Sequence, residues 1–155
     1  QRDMQLKDQQ SAKEVYTELE SNGSKSRLVD VRSRYEWFEA GIADLGPSSN
    51  KLILCEWRKY PSMELNENFF DELMNKVDFQ EIENLFFICA AGVRSKEAAN
   101  CTSKKLEEFG FTTKCINVFD GFNGNQNNFF NFGKISGWKD SGLPHCKLTQ
   151  PTYEN

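Results

Sequence analysis

The sequence lacks the features that mark membrane proteins and nucleic-acid-binding proteins. Its longest apolar run, residues 85–91, has seven residues, whereas a bilayer-spanning helix needs roughly 20. Lysine and arginine number 19 against 23 aspartates and glutamates, so the net charge is −4. Because phosphate backbones and anionic lipids attract basic proteins, we expect neither nucleic acid nor a membrane as a partner.

Metal-binding and disulfide patterns are also missing. The five cysteines include no C-x-x-C pair and their number is odd, so neither a zinc framework nor a disulfide scaffold is expected. Free thiols favour a reducing compartment, and we expect a cytoplasmic protein. The first ten residues are polar and form no secretory signal. Since the sequence opens with Gln1 rather than Met, the question of whether another segment precedes it is left open. His145, the only histidine, receives no catalytic role here.

Strand-like and helix-like segments alternate along the 155 residues. Short apolar or β-branched runs predict strands over residues 27–31, 51–57, 84–89 and 113–118. Amphipathic spacing and capping residues predict helices over residues 11–22, 33–38 and 95–109. They predict a further helix that is capped by Asn66 or Asn68 and runs to Val77. This order is typical of an α/β fold with a mainly parallel central sheet and helices on both faces. We expect a single domain over residues 11–146, with residues 1–10 and 147–155 as flexible tails.

One stretch has an unusual composition. Residues 121–133 carry no charge and contain five asparagines and four phenylalanines. Two interpretations stay open, namely a loop fixed to the core by its aromatic rings and a flap that covers a site. Trp138 and the phenylalanines Phe129, Phe130 and Phe132 either line a pocket or pack in the core, and core packing is the interpretation we favour.

The segment Cys89-Ala-Ala-Gly-Val-Arg-Ser95 carries the strongest chemical signal. It joins the strongest predicted strand to the strongest predicted helix, so Cys89 lies at the carboxyl end of a strand, where sites form in parallel sheets. Small residues allow a tight curl that turns several N–H groups inward, and the helix start adds its positive end. A cysteine held there is stabilised as the nucleophilic thiolate. It suits attack on an anionic sulfur donor or on a phosphate ester; the alternative is an inert buried cysteine.

Four ordered segments resemble the rhodanese-like single-domain sulfurtransferases, in particular the bacterial type with a long insert before the Gly-Trp-Lys segment. They are residues 30–42 (DVRSRYEWFEAGI), 89–95 (CAAGVRS), 117–122 (NVFDGF) and 137–144 (GWKDSGLP). The resemblance implies a rhodanese-like sheet of about five strands and a double-displacement reaction through a Cys89 persulfide. It implies a small anionic donor such as thiosulfate, a cyanide, thiol or protein persulfide partner, and neither a metal nor an organic cofactor.

Two details of the cysteine segment refine this implication. Four residues separate Cys89 from Arg94, whereas phosphatases that share the fold use a loop one residue longer, so the spacing favours sulfur over phosphate. Many active rhodaneses have arginine directly after the cysteine, where this chain has Ala90. We therefore expect weaker capture of thiosulfate or another donor, such as a protein persulfide. A non-catalytic binding module stays as the main alternative, with a cysteine-dependent phosphatase or arsenate reductase behind it.

The predicted site has one catalytic residue, Cys89, and no metal ligand. The expected substrate-binding residues are Ala90, Ala91, Gly92, Val93, Arg94 and Ser95. Arg94 either contacts substrate or ties the loop to a carboxylate, and we favour the second role. Asp30 and Arg32 are expected to support the loop from the adjacent strand end, unless they form a plain surface ion pair.

Overall fold

The structure is a computed structural model that describes residues 8–124 and 135–149. Its helices and strands, in chain order, are β1 (Gln9–Gln10), α1 (Ala12–Asn22), β2 (Ser26–Asp30), α2 (Arg34–Ala40), β3 (Ile42–Ala43), β4 (Leu52–Leu54), β5 (Arg58–Lys59), β6 (Glu64–Leu65), α3 (Phe69–Lys76), β7 (Asn84–Ile88), α4 (Val93–Glu108), β8 (Lys114–Val118) and β9 (His145–Cys146). Short 3₁₀ turns at Gly23–Lys25 and Gly46–Lys51 precede β2 and β4.

The central sheet has five strands, all parallel, in the order β1-β8-β7-β2-β4. Helices connect most of the sequential strands, as parallel pairing requires. Two small antiparallel pairs, β3 with β9 and β5 with β6, lie outside this sheet. The predicted α/β architecture with a mainly parallel sheet of about five strands is therefore confirmed.

Alternation of side chains along the strands divides the core into two layers. Leu85 and Phe87 of β7 face one layer, and Phe86 and Ile88 face the other. The first layer is closed by α3 and α4, through Phe69, Leu73, Ala98, Ala99 and Leu106. The second is closed by α1 together with later segments, through Ala12, Val15, Leu19, Phe122 and Trp138. Burying each large apolar side chain contributes about 1.5 to 3 kcal/mol to stability.

Trp138 is fully buried in the second layer, as the core-packing interpretation expected. Its ring meets Tyr16 edge to face, and its Nε1–H donates to the Pro144 carbonyl over 2.7 Å. The flap interpretation concerns residues 121–133, of which the structure describes 121–124 only. Phe129, Phe130 and Phe132 lie outside the described residues.

Several short elements differ from the predicted ones. Gln9 and Gln10, which we expected in a tail, form edge strand β1 beside β8, because their backbone continues the ladder that Asn117 and Val118 present. Gln9 and Gln10 therefore belong to the central sheet. Strand β4 ends at Leu54 rather than at Trp57, although Cys55 N–H still donates to the Asp30 carbonyl. Among the described residues, no helix has both the length and the apolar composition needed to cross a bilayer.

Candidate active site

Three strand ends meet at the carboxyl edge of the sheet. Asp30 ends β2, Cys89 follows β7, and Phe119 follows β8. These strands are neighbours, since β7 pairs with β2 on one side and with β8 on the other. Side chains from distant parts of the sequence are therefore brought together here, at the edge where open parallel sheets bind ligands. Residues 89–95 form the centre of this edge and are called the cysteine loop below.

The Cys89 sulfur lies at the centre of the cysteine loop. It accepts hydrogen bonds from the backbone N–H groups of Gly92 and Ser95, both over 3.2 Å. The Ser95 hydroxyl oxygen lies 3.1 Å from the same sulfur. Helix α4 begins at Val93, so its first turn faces the sulfur with its positive end. This set of donors is suited to a negatively charged sulfur atom.

The cysteine loop has four other backbone N–H groups. Within residues 8–124 and 135–149, no acceptor lies against the amides of Ala90, Ala91, Val93 and Arg94. Val93 is the most exposed of these residues, at 68%, and the two alanines are half-buried. Unused backbone donors at a helix start are the groups that bind anions in proteins. The loop therefore has donors available for an anionic ligand in addition to those that hold Cys89.

Glycine is required at two points of close backbone approach. Gly92 has φ +91°, and a Cβ there would overlap the carbonyl oxygen of Phe119. Gly121 has φ +69°, and its Cβ would overlap the carbonyl of Ala90. These positive φ angles are costly for other residues, and the two contacts leave no space for a side chain. Together they fix the cysteine loop against the segment that follows β8.

The Arg94 side chain is directed to α2 rather than to the sulfur. Its Nη1 and Nη2 atoms each donate to a Glu36 carboxylate oxygen over 2.8 Å. Burial acts to raise the pKa of Glu36, but hydrogen bonds from Arg94 and from the Ser33 backbone outweigh it and lower that pKa to about 2. The same carboxylate raises the pKa of Arg94, against the effect of burial. Of the two roles left open for Arg94, the structure shows the tie to a carboxylate.

Asp30 and Arg32 form a buried pair, not a surface ion pair. Arg32 is 0% exposed and Asp30 1%, and Arg32 Nη2 lies 2.7 Å from Asp30 Oδ2. The guanidinium also donates to the Gly41 carbonyl over 2.8 Å and stacks 4.1 Å from the centre of the Phe122 ring. Phe122 N–H in turn donates to the Cys89 carbonyl over 2.8 Å. The pair therefore reaches the cysteine loop indirectly, through Phe122.

The sulfur lies beneath the loop rather than on the surface. Cys89 is only 1% exposed, and it belongs to the hydrophobic layer that α3 and α4 close. Its neighbours Ala90 and Ala91 are half-buried.

Sequence reasoning assigned no role to Glu36 as the partner of Arg94, or to Asn117. Asn117 is 2% exposed on β8, and its Oδ1 accepts the Ser95 hydroxyl over 2.5 Å. The available signals were weak. Glu36 fits a helix-capping box with Ser33, and this role accounts for it without a partner in the cysteine loop. Asn117 is a single polar residue within the strand sequence Lys-Cys-Ile-Asn-Val.

Comparisons with known proteins give sequence relatives without an assigned activity. The uncharacterized protein RC0915 of Rickettsia conorii is 35% identical over 130 residues, covering 84% of this chain and 89% of that protein. The uncharacterized protein RP600 of Rickettsia prowazekii is 35% identical over 117 residues, covering 76% of this chain and 80% of that protein. No family model matches the sequence.

Solved structures with the same fold include rhodanese-like domains. The crystal structure of Rv0390 from M. tuberculosis matches with a TM-score of 0.71 and 28% identity, covering 90% of this chain and 97% of that chain. The rhodanese-like domain of the Alr3790 protein from Anabaena matches with a TM-score of 0.55 and 15% identity, covering 98% and 89% of the two chains. The second likeness shows the fold alone, and the fold of this chain is accordingly rhodanese-like.

Proposed function

Because the chain belongs to the family of the Rickettsia proteins RC0915 and RP600 and has a rhodanese-like fold, we propose that it is a sulfurtransferase that works through a persulfide on Cys89. The observation that carries this proposal is the surrounding of the Cys89 sulfur. Two backbone N–H groups point at it, and a hydroxyl lies beside it. The two N–H groups favour a thiolate, which is the form that attacks sulfur.

The reaction has two displacement steps. In the first, the Cys89 thiolate attacks the outer sulfur of thiosulfate, the S–S bond of thiosulfate breaks, and sulfite leaves with the electron pair. In the second, cyanide or a thiolate attacks the terminal sulfur of the Cys89 persulfide. The S–S bond of the persulfide breaks, the Cys89 thiolate leaves with the electron pair, and the product is thiocyanate or a new persulfide. The enzyme returns to its starting state without a net redox change.

The loop backbone supplies the electrostatic stabilisation in this proposal. The free N–H groups of Ala90, Ala91, Val93 and Arg94 are available to the terminal sulfur of the persulfide and to the donor's oxygens. No metal or organic cofactor takes part in either step.

The donor is the least determined part of the reaction. Ala90 and Ala91 carry no charge, and the Arg94 guanidinium is bound by Glu36. The loop therefore offers a thiosulfate dianion backbone N–H groups rather than side-chain cations, which weakens its capture. A persulfide carried by another protein is consistent with this arrangement, because a protein partner gains binding energy from contacts outside the loop.

The direct test is the intact mass of the protein after incubation with thiosulfate and with a low-molecular-weight persulfide. We expect a gain of one sulfur atom that is removed by cyanide and is absent in Cys89→Ser. Cys101→Ser is the matched control, since Cys101 is an exposed thiol on α4 and its loss leaves the adduct unchanged. A different result would identify a phosphatase instead of a sulfurtransferase. In that case the protein hydrolyses an aryl phosphate in a reaction that needs Cys89, and it shows no turnover of thiosulfate plus cyanide.

A second candidate is a binding module that keeps the fold without turnover. The specific observation in its favour is the 1% exposure of Cys89, together with Ala90 in place of the usual arginine. The same mass experiment separates the two candidates. A protein that stays unmodified with every donor, while folded by circular dichroism, is a binding module.

A further inference from the structure

A buried chain of polar side chains connects the Cys89 sulfur to the edge of the sheet. The Ser95 hydroxyl lies 3.1 Å from the sulfur and donates to Asn117 Oδ1 over 2.5 Å. Asn117 Nδ2 donates to the Gly92 carbonyl over 3.1 Å and to Gln9 Oε1 over 2.9 Å. Ser95 is 0% exposed and Asn117 2%, so water does not compete for the bond between their side chains.

The donors in this chain fix the orientation of the Asn117 amide. Both of its neighbours on the Nδ2 side, the Gly92 carbonyl and Gln9 Oε1, are acceptors, so the NH₂ group must face them. The Oδ1 atom therefore faces Ser95 and can only accept. The Ser95 hydroxyl has a single hydrogen, and two atoms lie within its reach: Asn117 Oδ1 and the Cys89 sulfur.

We propose that Asn117 is a positioning residue that competes with the Cys89 sulfur for the hydroxyl hydrogen of Ser95. The inference rests on the proposed function only in taking Cys89 as the reactive group. It concerns the balance between the protonated thiol and the thiolate of Cys89. While Cys89 is a neutral thiol, the thiol, the Ser95 hydroxyl and Asn117 Oδ1 each have a hydrogen-bond partner. The S–H donates to the Ser95 oxygen, and the Ser95 hydroxyl donates to Asn117.

Loss of the thiol proton to solvent breaks this arrangement. The thiolate can no longer donate to the Ser95 oxygen, although it keeps the backbone N–H groups of Gly92 and Ser95 as donors. If the Ser95 hydroxyl turns to the sulfur, Asn117 Oδ1 is left buried without a donor. If the hydroxyl stays on Asn117, the Ser95 oxygen presents its lone pairs to a negative sulfur. Both outcomes raise the free energy of the thiolate, so Asn117 favours the resting thiol.

The charged groups around the loop do not distinguish the Asn117 variants from the native protein. Two ion pairs lie at the loop, Arg94 with Glu36 and Asp30 with Arg32. Lys96 and Glu97 follow the loop on α4, and Asp120 precedes Gly121, which packs against Ala90. None of these side chains makes a hydrogen bond to Asn117 or Ser95. Their effect on the sulfur is therefore common to every variant compared below.

The test is the pH profile of Cys89 alkylation by iodoacetamide, read by mass spectrometry on the peptide that contains Cys89. We expect Asn117→Ala to move the midpoint of this profile to lower pH by about half a unit to one unit, the equivalent of one neutral hydrogen bond. Gln9→Ala is the matched control. It removes a partner of the same amide but leaves the bond to Ser95, and its midpoint stays at the native value.

A double variant separates this mechanism from a purely structural one. Ser95→Ala removes the hydroxyl through which Asn117 is proposed to act, so adding Asn117→Ala to it causes no further shift of the midpoint if Asn117 acts through Ser95. If Asn117 acts instead by holding the Gly92 carbonyl, its replacement loosens the loop and raises the midpoint in both backgrounds. That result, or an unchanged midpoint in Asn117→Ala, overturns the proposal.

Two features keep this experiment interpretable. Should Asn117→Ala fail to fold, Asn117→Val supplies a strand-forming residue that also lacks the acceptor. Alkylation needs no sulfur donor, so a protein that never forms a persulfide still yields the profile. Failure of the sulfurtransferase proposal and failure of the Asn117 proposal are therefore separate results.

Discussion

At the scale of single residues, the contact between Arg94 and Glu36 is the ion pair that joins the cysteine loop to another element. Its two hydrogen bonds of 2.8 Å join the cysteine loop to α2, and both side chains are less than a third exposed. Bidentate pairs of this kind hold geometry better than single contacts. The pair therefore fixes the direction of the loop's only arginine and leaves the backbone N–H groups free for a ligand.

The lowered pKa of Glu36 predicts an acid-sensitive contribution to stability. The pKa falls from its ordinary value of 4.5 to about 2 in the folded protein, so the contribution is fully present above pH 4.5 and is lost as the pH falls towards 2. We expect Glu36→Gln to lower the free energy of unfolding near neutral pH by at most about 3 kcal/mol. The difference from the native protein should shrink at lower pH.

Urea unfolding of both proteins across this pH range measures that difference. Glu39→Gln is a suitable control, because Glu39 lies on the same helix and its substitution removes the same charge. A difference between native and Glu36→Gln that stays constant between neutral and acidic pH contradicts the expectation.

Residue 90 offers a test of how the loop captures an anion. If a side chain at this position faces the donor, Ala90→Arg adds a cation where the native chain has none, and the KM for thiosulfate should fall by about three- to tenfold. Ser103→Arg adds the same charge on α4, away from the loop, and should leave KM unchanged. Steady-state kinetics with cyanide as acceptor decide the matter; an unaltered KM in Ala90→Arg shows that residue 90 does not face the anion.

At the scale of elements, the turn between β7 and α4 depends on glycine. Gly92 and Gly110 both have positive φ, +91° and +82°, but only a Cβ on Gly92 meets another part of the chain, the Phe119 carbonyl. Both Ala substitutions incur a backbone cost of about 1 to 2 kcal/mol. We expect Gly92→Ala to cost at least about 2 kcal/mol more than Gly110→Ala, because the loop or the Phe119 segment must also move.

Chemical denaturation of the two variants measures this contrast. A second readout, the rate of Cys89 alkylation at fixed pH, should change in Gly92→Ala and not in Gly110→Ala, because the Gly92 N–H donates to the sulfur. Equal destabilisation by the two substitutions would mean that the Phe119 segment yields without cost.

The elements that the sequence predicted are those long enough to show a period. Strand β7 and helix α4 carry sustained apolar patterns, and their junction placed Cys89 correctly between a strand end and a helix start. Strands β1, β5 and β6 have two residues each, which is too few for any pattern, and they exist because neighbouring backbone offers hydrogen bonds.

Side-chain directions at the site could be predicted only in part. That Arg94 binds Glu36 depends on a contact across 58 positions, which spacing within the loop does not encode. The role of Asn117 likewise arises from pairing of β8 with β1 and β7, which brings Gln9 and the loop to the same amide. Local sequence gives the nucleophile and its helix; tertiary pairing gives its polar neighbours.

At the scale of the whole molecule, stability is centred on the strand that carries the site. Strand β7 pairs with β2 and β8 on its two sides, and Leu85–Ile88 are buried. The two core layers lie on opposite faces of this strand. The cysteine loop is therefore attached to a strand that is paired on both sides and buried on both faces, and we expect motion at the Cys89 end of the loop to be limited.

Native-state hydrogen exchange tests this distribution directly. We expect the amides of Phe86, Phe87 and Ile88 to exchange only through global unfolding, so that their opening free energy equals the free energy of unfolding. The β1 amide of Gln10 should exchange through a smaller opening, because β1 is a two-residue edge strand bonded on one side only. Exchange measured by NMR at several low urea concentrations separates the two classes, since global openings respond to urea and local ones do not. Equal protection of β1 and β7 would show that the edge strand unfolds only with the core. The hydrogen bond between Gln9 and Asn117 would then break only on global unfolding.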